Sequence, residues 1–360
     1  MTASPRRVLI IRPSALGDVS RSVAALATLR RAWPRARIDW LVTDSCAAAI
    51  QHHPMLDQVV TFARDRLVRF GTGWSATREG LMLANHLRQQ QYDIVYDLQG
   101  LLRSGLLTWL TRSPRRVGFA DAREGAWLSY NVRIRTDSIH TVDRMLGLLE
   151  ADGHRPHHDL TLYLGNEERR WLEQFHAEHG TTTNQYICMA PTARWRSKMW
   201  PMDRFAEITR RLLNGAGCGR TWPIILLSAP SERHQIKPLI EQNLTNPIPS
   251  TGRAAPLIAP NTNVGQMMAL ISQTRLLVSN DSAPLHIGVG FDRPVVAIFG
   301  PTDPARVGPY GRPDSVLQPT VLNQRPFKNI RRRRDPSLIA QVQTNAVWEK
   351  ILKQLEDQGS

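Results

Sequence analysis

Short aliphatic runs alternate along this chain with longer segments that have helical periodicity. Residues 8–11 are followed by a helical pattern over residues 19–33, and residues 94–98 are preceded by one over residues 80–90. A strand, a helix and a further strand form a βαβ unit, and a series of such units builds a parallel sheet. The alternation therefore predicts an α/β protein.

The predicted strands fall into two groups. Residues 8–11, 38–42, 58–62 and 94–98 form the first group, and residues 186–190, 223–228, 276–279 and 295–299 form the second. Helices are predicted in the second group over residues 201–214, 231–242 and 264–273. The composition turns polar at residues 155–158 before the pattern begins again, which indicates two Rossmann-like halves with a boundary near residues 155–166. We therefore divide the chain into residues 1–160, residues 161–336 and an amphipathic C-terminal helix within residues 337–360 that packs back on the domains.

The net charge limits the partners that this chain would bind. Lysine and arginine number 46 against 31 acidic residues, a balance of +15 over 360 residues, and only five of the 46 are lysine. Arginine favours planar, bidentate contacts with phosphate and carboxylate groups. The charge fits a nucleic acid, an anionic membrane surface or a phosphorylated substrate, and does not choose among them.

Several classes of protein are excluded by motifs that the sequence lacks. It has no Walker motif and no G-x-G-x-x-G after the first strand, which argues against a P-loop NTPase or a conventional dinucleotide enzyme. The histidine pairs at 52–53 and 157–158 are adjacent residues, a spacing that does not suit one metal ion. Three cysteines without metal-ligand spacing favour a reducing compartment, and no apolar run is long enough for a membrane span or a signal sequence. We expect a cytoplasmic protein, with peripheral contact to the inner face of the membrane left open.

The loop after the first strand contains the first candidate group. In an open α/β sheet, ligands bind at the carboxyl ends of the strands, where the segment from Arg12 through Ser14, Gly17 and Asp18 must lie. Asp18 either caps the following helix, as aspartate often does, or acts as a general base that takes a proton from an attacking hydroxyl. Position alone leaves these two interpretations about equally favoured.

Polar groups also follow three strands of the second half. Asp281 and Ser282 come directly after a strand and precede a helix that contains His286, and a helix N-terminus binds phosphate well. Thr302 follows the next strand. Its hydroxyl either donates a hydrogen bond to a phosphate group or belongs to a simple turn. A third loop places Thr192 before three cations and two tryptophans, with Arg194 and Lys198 as the phosphate candidates.

These segments together resemble glycosyltransferase family 9, the ADP-heptose:lipopolysaccharide heptosyltransferases, over nearly the whole chain. The matching segments are RPSALGDV at 12–19, DIVYDLQGLLRSGLL at 93–107, RRVGFADAREGAWLSYN at 115–131, HTVDRMLGLLE at 140–150, KMWPMDRFAEI at 198–208 and SNDSAPLHIGVGFDRPVVAIFGPTDPARVGPYG at 279–311. The last segment is the most specific. Within the family, residues 93–150 look most similar to heptosyltransferase I, which adds the first heptose to the Kdo of the inner core.

The resemblance implies a GT-B fold, with the acceptor on the N-terminal domain and the nucleotide sugar on the C-terminal domain. It implies transfer of a heptose from ADP-heptose with inversion, without a metal or other cofactor. Asp18 matches the general base and Lys198 the residue that neutralises the diphosphate. The implied donor-binding residues are Thr192, Arg194, Glu232, Asp281, Ser282, His286 and Thr302, and the implied acceptor-binding residues are Ser14, Arg64, Arg66, Arg69, Arg123 and Arg144.

This chain departs from the family pattern at three places. Ala283 and Ser228 stand where family members usually have glycine, and Arg21 adds a cation near the acceptor side where proline is common. The expected partners are a nucleotide-sugar donor, an anionic Kdo-lipid A-like acceptor and the inner-membrane surface, with no nucleic acid. The alternatives are a GT-B transferase that uses another nucleotide sugar for a different surface glycan, and a non-catalytic nucleotide-binding Rossmann pair. The run at residues 331–334 is either a solvated linker or a contact for anionic headgroups.

Overall fold

The computed structural model describes residues 4–63, 74–217, 219–245, 256–320 and 335–357. The chain divides into two units, Met1–Tyr163 and Leu164–Ser360. Within the described residues, each unit contains one six-stranded sheet in which every strand pair is parallel. The α/β class and the two Rossmann-like halves are confirmed.

The first unit has the strand order β3-β2-β1-β4-β5-β6. Its strands are β1 Arg7–Ile11, β2 Arg37–Thr43, β3 Gln58–Phe62, β4 Ile94–Asp97, β5 Arg115–Phe119 and β6 Val132–Ile134. Its helices are α1 Leu16–Arg21, α2 Val23–Ala32, α3 Asp44–Ala47, α4 Trp74–Gln89, α5 Leu102–Leu110 and α6 Thr141–Ala151, and a 3-10 helix covers Ala126–Ser129.

The second unit repeats the same order with its own strands. Its strands are β7 Ile187–Ala190, β8 Ile224–Leu226, β9 Leu257–Ile258, β10 Leu276–Asn280, β11 Val295–Ile298 and β12 Val316–Leu317, arranged as β12-β11-β10-β7-β8-β9. Its α-helices are α7 Asn166–His179, α8 Met202–Leu213, α9 Lys237–Thr245, α10 Val264–Ser272, α11 Ala283–Gly290, α12 Pro304–Val307 and α13 Thr344–Glu356. Among its 3-10 helices are Arg196–Lys198 and Pro230–Ile236.

The central strands of both sheets are aliphatic because helices cover both faces of the sheet. Every residue of β7, β10 and β11 is buried, as is typical of parallel strands in doubly wound folds. In each unit the chain reverses its direction of winding between the first and fourth strands, so that β1 lies beside β4 and β7 lies beside β10. Ligand sites in such sheets lie at this switch point, outside the carboxyl ends of the strands.

The C-terminal helix differs from its prediction at its first turns. It begins at Thr344 rather than near residue 337, after a 3-10 helix at Ile339–Gln341. Val342, between the two helices, has an extended backbone with ψ 115°, and Arg204 of α8 donates to the carbonyls of Ala340 and Val342, both at 2.6 Å. Val347 and Ile351 of α13 join the apolar core of the second unit.

Candidate active site

The Asp18 carboxylate lies at the carboxyl edge of the first sheet, between two guanidinium groups. Its Oδ1 is 3.3 Å from Nη2 of Arg12 and also forms an ion pair with Arg21. The N-cap residue of α1 is Ala15, and its backbone N–H donates to Oδ2 of Asp18 at 3.4 Å, so Asp18 also helps to cap this helix from its third position. The side chains of Arg12 and Arg21 are 8% and 7% exposed, whereas that of Asp18 is 30% exposed. The carboxylate is thus fixed from the protein side and reachable from the solvent side.

Arg12 connects the ends of β1 and β4. Its guanidinium donates to the carbonyl of Leu98, the residue after β4. Burial lowers the pKa of this guanidinium from its usual value, but an arginine remains charged under all ordinary conditions. Sequence analysis included Arg12 in the candidate loop but gave it no role, although a cation directly after the first strand was a signal that could have identified one.

A buried carboxylate shapes the loop after β4. Asp97 accepts hydrogen bonds from the hydroxyl of Tyr130 at 2.6 Å and from the backbone N–H groups of Gln99 and Gly100 at 2.8 and 3.1 Å. Burial raises the pKa of this carboxyl, against the opposing effect of its hydrogen bonds. The ring of Tyr130 lies over Gly118, where a Cβ atom would be 2.4 Å from the ring. Asp97 therefore holds the loop and is closed off from solvent.

A cavity of about 280 Å³ opens in the first unit beside this loop. Ser14, Gln99, Arg103 and Glu124 provide most of its polar lining, and Leu101 and Leu107 provide apolar lining. Ser14 is the one predicted acceptor residue in the lining that the structure gives for this cavity. A larger cavity of about 420 Å³ lies between β3 and α4, away from Asp18.

The other predicted acceptor residues have different placements. Arg123 is exposed, and its backbone N–H donates to the carbonyl of Gly100 at 3.0 Å, which places it beside the end of β4. Arg144 forms an ion pair with Asp121, and its guanidinium lies 4.5 Å from the ring centre of Phe119 at the end of β5. Arg64, Arg66 and Arg69 lie outside the described residues, as does the run at residues 331–334.

In the second unit, Lys198 and Asp281 form an ion pair across the switch point. Nζ of Lys198 lies 2.5 Å from Oδ2 of Asp281. The Asp281 side chain is 5% exposed and that of Lys198 is 27% exposed. An ammonium group has three N–H donors, so the contact with Asp281 fixes its direction while leaving donor capacity for a ligand.

Asn280 joins the loops that carry this pair. Its Nδ2 donates to the carbonyl of Pro191 at 2.6 Å, and its Oδ1 accepts from the N–H of Trp200 at 3.2 Å. These bonds tie the end of β10 to the end of β7 and to the residues that follow Lys198. Asn280 is fully buried, and sequence analysis did not assign it this positioning role.

Gly300 allows the Lys198 loop to lie against the end of β11. A Cβ atom at this position would be 2.5 Å from the carbonyl oxygen of Ser197, a distance that a real side chain does not adopt. The carbonyls of Gly300 and Thr302 both accept hydrogen bonds from the Gln318 amide at 3.1 Å. Thr302 is therefore held in a fixed loop beside the site.

The helix N-terminus predicted to bind phosphate is present. Ser282 is the N-cap of α11, Pro284 stands in the first turn, and His286 is buried one turn further on. The first turn of a helix presents N–H groups without intrahelical partners, together with the positive end of the helix dipole. This end of α11 directly follows Asp281, so it adds positive potential beside Lys198.

The predicted donor residues lie at the carboxyl ends of four adjacent strands, in the spatial order β11-β10-β7-β8. Thr192 is buried just after β7, whereas Arg194 is exposed, with its guanidinium 5.6 Å from the ring centre of Trp195. Glu232 is half-buried in the 3-10 helix that follows β8. The arrangement provides cations and N–H donors that can bind an anionic group. It also provides the carboxylate of Glu232, which lies further along the same edge of the sheet.

Within the described residues, no group of three or more His, Cys, Asp or Glu side chains is placed to hold a metal ion. In the same residues, no helix is both long and apolar enough to cross a bilayer.

Comparison with known proteins identifies the family. Residues 81–333 match the family model described as glycosyltransferase family 9 (heptosyltransferase), which is more than half of the chain. The chain belongs to glycosyltransferase family 9. It is a glycosyltransferase, and the two doubly wound units constitute the GT-B fold that the resemblance predicted.

Individual members of family 9 match over most of their length. The lipopolysaccharide core heptosyltransferase OpsX of Haemophilus influenzae is 25% identical over 88% of this chain and 85% of that protein. Lipopolysaccharide heptosyltransferase 1 of Escherichia coli is 27% identical over 87% of this chain and 93% of that protein. The solved structure of E. coli heptosyltransferase WaaC with ADP superposes with a TM-score of 0.74, at 24% identity, over 97% of this chain and 99% of the other.

Proposed function

We propose that this protein is an inverting heptosyltransferase that transfers a heptose from ADP-heptose to the Kdo region of the lipopolysaccharide inner core, without a metal. The observation that carries the proposal is the Lys198–Asp281 pair beside the N-terminus of α11, at the switch point of the second sheet. The names of the relatives support the donor and the acceptor class, since they are lipopolysaccharide heptosyltransferases.

On the donor side, the reaction breaks the bond between the anomeric carbon and the diphosphate. The bonding electrons leave with the phosphate oxygen, so negative charge grows on the departing ADP. Lys198 and the N–H groups of α11 are held in place before the reaction, by Asp281 and by the helix itself. Charge stabilisation by groups that need no reorganisation is the largest contribution to many enzymatic rates.

On the acceptor side, Asp18 takes the proton from the attacking hydroxyl. The hydroxyl oxygen forms the new bond to the anomeric carbon on the face opposite to the diphosphate, which inverts the configuration. The ion pairs with Arg12 and Arg21 orient the Asp18 carboxylate, and its 30% exposed side chain leaves it within reach of the hydroxyl. The first unit is thus the acceptor-binding unit, and the second is the donor-binding unit.

The chemistry of Kdo suits the arginines of the first unit. Kdo carries a carboxylate, and lipid A carries phosphates. Arg103 lines the cavity, and Arg123 lies beside Gly100 at the same edge. We therefore place the acceptor sugar in the cavity next to Ser14.

The proposal is tested by incubating the protein with ADP-heptose and a Kdo-containing acceptor in the presence of EDTA, with product analysis by mass spectrometry and NMR. We expect a heptosylated product with inverted anomeric configuration. Loss of activity in EDTA, restored by a divalent cation, would contradict metal independence.

In parallel thermal-shift assays we expect ADP to stabilise the protein more than UDP or GDP. Preference for another nucleotide supports a different donor, and no response to any of them supports a non-catalytic role.

A further inference from the structure

Five large apolar side chains of the first unit are exposed close together. Nine such side chains are exposed among the described residues, and five of these lie between residues 102 and 128. They are Leu102, Leu106, Trp109, Trp127 and Leu128, and they are between 38% and 67% exposed. We call them the apolar patch.

Three members of the apolar patch form one face of α5. Leu102, Leu106 and Trp109 are spaced four and three residues apart, which places them on the same side of a helix. The opposite side is buried in the unit and contains Ser104, Gly105, Leu107 and Thr108. A surface helix normally presents polar residues outward, and a contiguous exposed apolar face marks an interaction site with a second apolar environment.

The 3-10 helix Ala126–Ser129 extends the patch beside α5. The two helices approach closely at Gly105, where a Cβ atom would be 2.9 Å from Cα of Ala126. Gly105 lies one turn from Trp109 and next to Leu106 in the chain, so the exposed Trp127 and Leu128 flank the outer face of α5. The backbone N–H of Leu102 also donates to Glu124, at 3.2 Å, which holds the two segments together.

Positive charge surrounds the apolar patch. Residues 102–135 contain seven arginines and two acidic residues, with no lysine or histidine. Of the two carboxylates, Asp121 is paired with Arg144, and Glu124 accepts the N–H of Leu102. Arg103, Arg112 and Arg123 are exposed, and the guanidinium of Arg133 lies 4.8 Å from the ring centre of Trp127.

We propose that the apolar patch docks on a lipid bilayer that contains anionic headgroups, with its aromatic and aliphatic side chains in the interfacial region. Tryptophan favours the membrane interface because its ring is apolar and its N–H is polar. Arginines at the rim attract anionic lipids, and the combination of apolar and basic groups is typical of proteins that lie on a membrane. A second copy of this chain is disfavoured as the occupant, because the like charges of two such rims would face each other.

The position of the patch suits the proposed function, on which this inference rests in part. Leu101, Arg103 and Glu124 line the cavity beside Ser14 and lie next to members of the patch. Docking through the patch would bring the cavity to the membrane surface, so a glycolipid acceptor could reach it with its acyl chains still in the bilayer. The apolar patch is thus the surface through which this enzyme meets its acceptor.

The test is co-sedimentation with vesicles of phosphatidylcholine alone and of phosphatidylcholine with 30% phosphatidylglycerol. We expect the full-length protein to bind the mixed vesicles, and to bind them less at high salt. The double variant Leu106→Ser/Trp109→Ser should bind at least about tenfold more weakly, because both side chains lose their apolar contact with lipid. Ile139→Ser is the matched control, since Ile139, at 66%, is more exposed than Leu106 and Trp109 but lies outside the patch. It should bind like the unaltered protein.

Equal binding by the double variant and the unaltered protein would overturn the inference. A second result would also overturn it: the double variant is monomeric by light scattering where the unaltered protein is dimeric, and its vesicle binding is unchanged. The patch would then join two copies of the chain. Far-UV circular dichroism and thermal unfolding confirm that the variant is folded. If the double variant loses transfer to a vesicle-embedded acceptor but keeps transfer to a deacylated, water-soluble one, the patch acts in membrane docking. The sedimentation result stands even if no transfer is detected, so failure of the proposed function is distinguishable.

Discussion

At the scale of single residues, both charged groups that we assign to the reaction are held by more deeply buried partners. Asp18 is held by Arg12 and Arg21, and Lys198 is held by Asp281. In each case the buried member fixes the direction of the exposed one. Asp18 and Lys198 were found from the sequence, but their pairing with Arg12, Arg21 and Asp281 was found only in the structure, since ion pairing depends on three-dimensional placement.

Replacing Asp18 by asparagine should abolish transfer while leaving donor binding nearly unchanged. The amide cannot accept the proton, but it keeps the shape of the side chain. We expect kcat to fall by at least about a thousandfold, with the Kd for ADP within about threefold. Asp44→Asn, a change in the first turn of α3, is the control and should be fully active. Normal turnover by the Asp18 variant would remove this residue from the mechanism.

Replacing Lys198 by alanine should slow transfer by about a hundredfold to a thousandfold, the loss typical of one charge-stabilising donor. Steady-state kinetics with ADP-heptose measures the effect. Lys237→Ala removes an exposed lysine from the same unit and should have no effect. If transfer by the Lys198→Ala variant is also unchanged, the residue that neutralises the diphosphate is Arg194 or Arg196 instead.

At the scale of helices and strands, burial decided which elements were predictable. Eight strands were predicted from their aliphatic runs, namely β1 to β4, β7, β8, β10 and β11. The strands β5 and β6 were missed because arginines interrupt them, and β9 and β12 because they contain only two residues each. The predicted helix over residues 19–33 is two helices, which meet at Ser22, where the hydroxyl donates to the carbonyl of Asp18 at 2.7 Å.

The Gly300 contact predicts a local effect on the donor loop. Gly300→Ala places a methyl group against the carbonyl of Ser197, so the loop that carries Lys198 must move. We expect weaker stabilisation by ADP in thermal-shift assays and lower transfer. Gly147→Ala is the control, because its new Cβ would find ordinary contacts at 3.5 Å. An alanine inside α6 should be neutral or stabilising by up to about 1 kcal/mol. Unchanged ADP stabilisation in the Gly300 variant would contradict this account of the loop.

Asp152 gives the first unit a pH-dependent contribution to stability. Although burial opposes it, hydrogen bonds from His154, Tyr96 and Arg115 lower the pKa of this carboxyl. Because the pKa of this carboxyl is lower in the folded state than in the unfolded state, its stabilisation is complete above the unfolded-state pKa of about 4. The stabilisation is lost as the pH falls below that pKa and through the folded-state pKa. We expect Asp152→Asn to reduce the free energy of unfolding at pH 7 by about 1–3 kcal/mol. Denaturant titrations at several pH values should show this difference narrowing below about pH 4. A constant difference would contradict the assignment.

At the scale of the whole molecule, each unit contributes a complete sheet with its own switch point. The same strand order occurs twice, which the repeated βαβ pattern indicated. On the acceptor side, Arg64, Arg66 and Arg69 lie outside the described residues and stay predictions. Exposure of the apolar patch was not predicted, because it depends on how α5 packs. The spacing of Leu102, Leu106 and Trp109 puts them on one side of a helix, but it does not show which side faces the sheet.

The assignment of donor and acceptor to separate units predicts where ADP protects the backbone. Hydrogen–deuterium exchange with and without ADP should show slower exchange over residues 190–200 and 280–290. Residues 12–21 should exchange at the same rate in both samples, because the loop with Asp18 belongs to the other unit. UMP serves as the control nucleotide. Protection confined to residues 12–21 would reverse the assignment of the two units.

Trp200 shows which parts of the chain belong together when family members are recombined. Its Nε1 donates to the carbonyl of Val342 at 2.9 Å, and its backbone N–H donates to Asn280. The last described residues of the chain thus support the loop that holds Lys198, about 150 residues earlier in the sequence. A chimera that exchanges the donor unit must carry residues 335–357 from the same parent as residues 190–200. A chimera that takes these two segments from different parents would lose the contacts that hold the Lys198 loop in place.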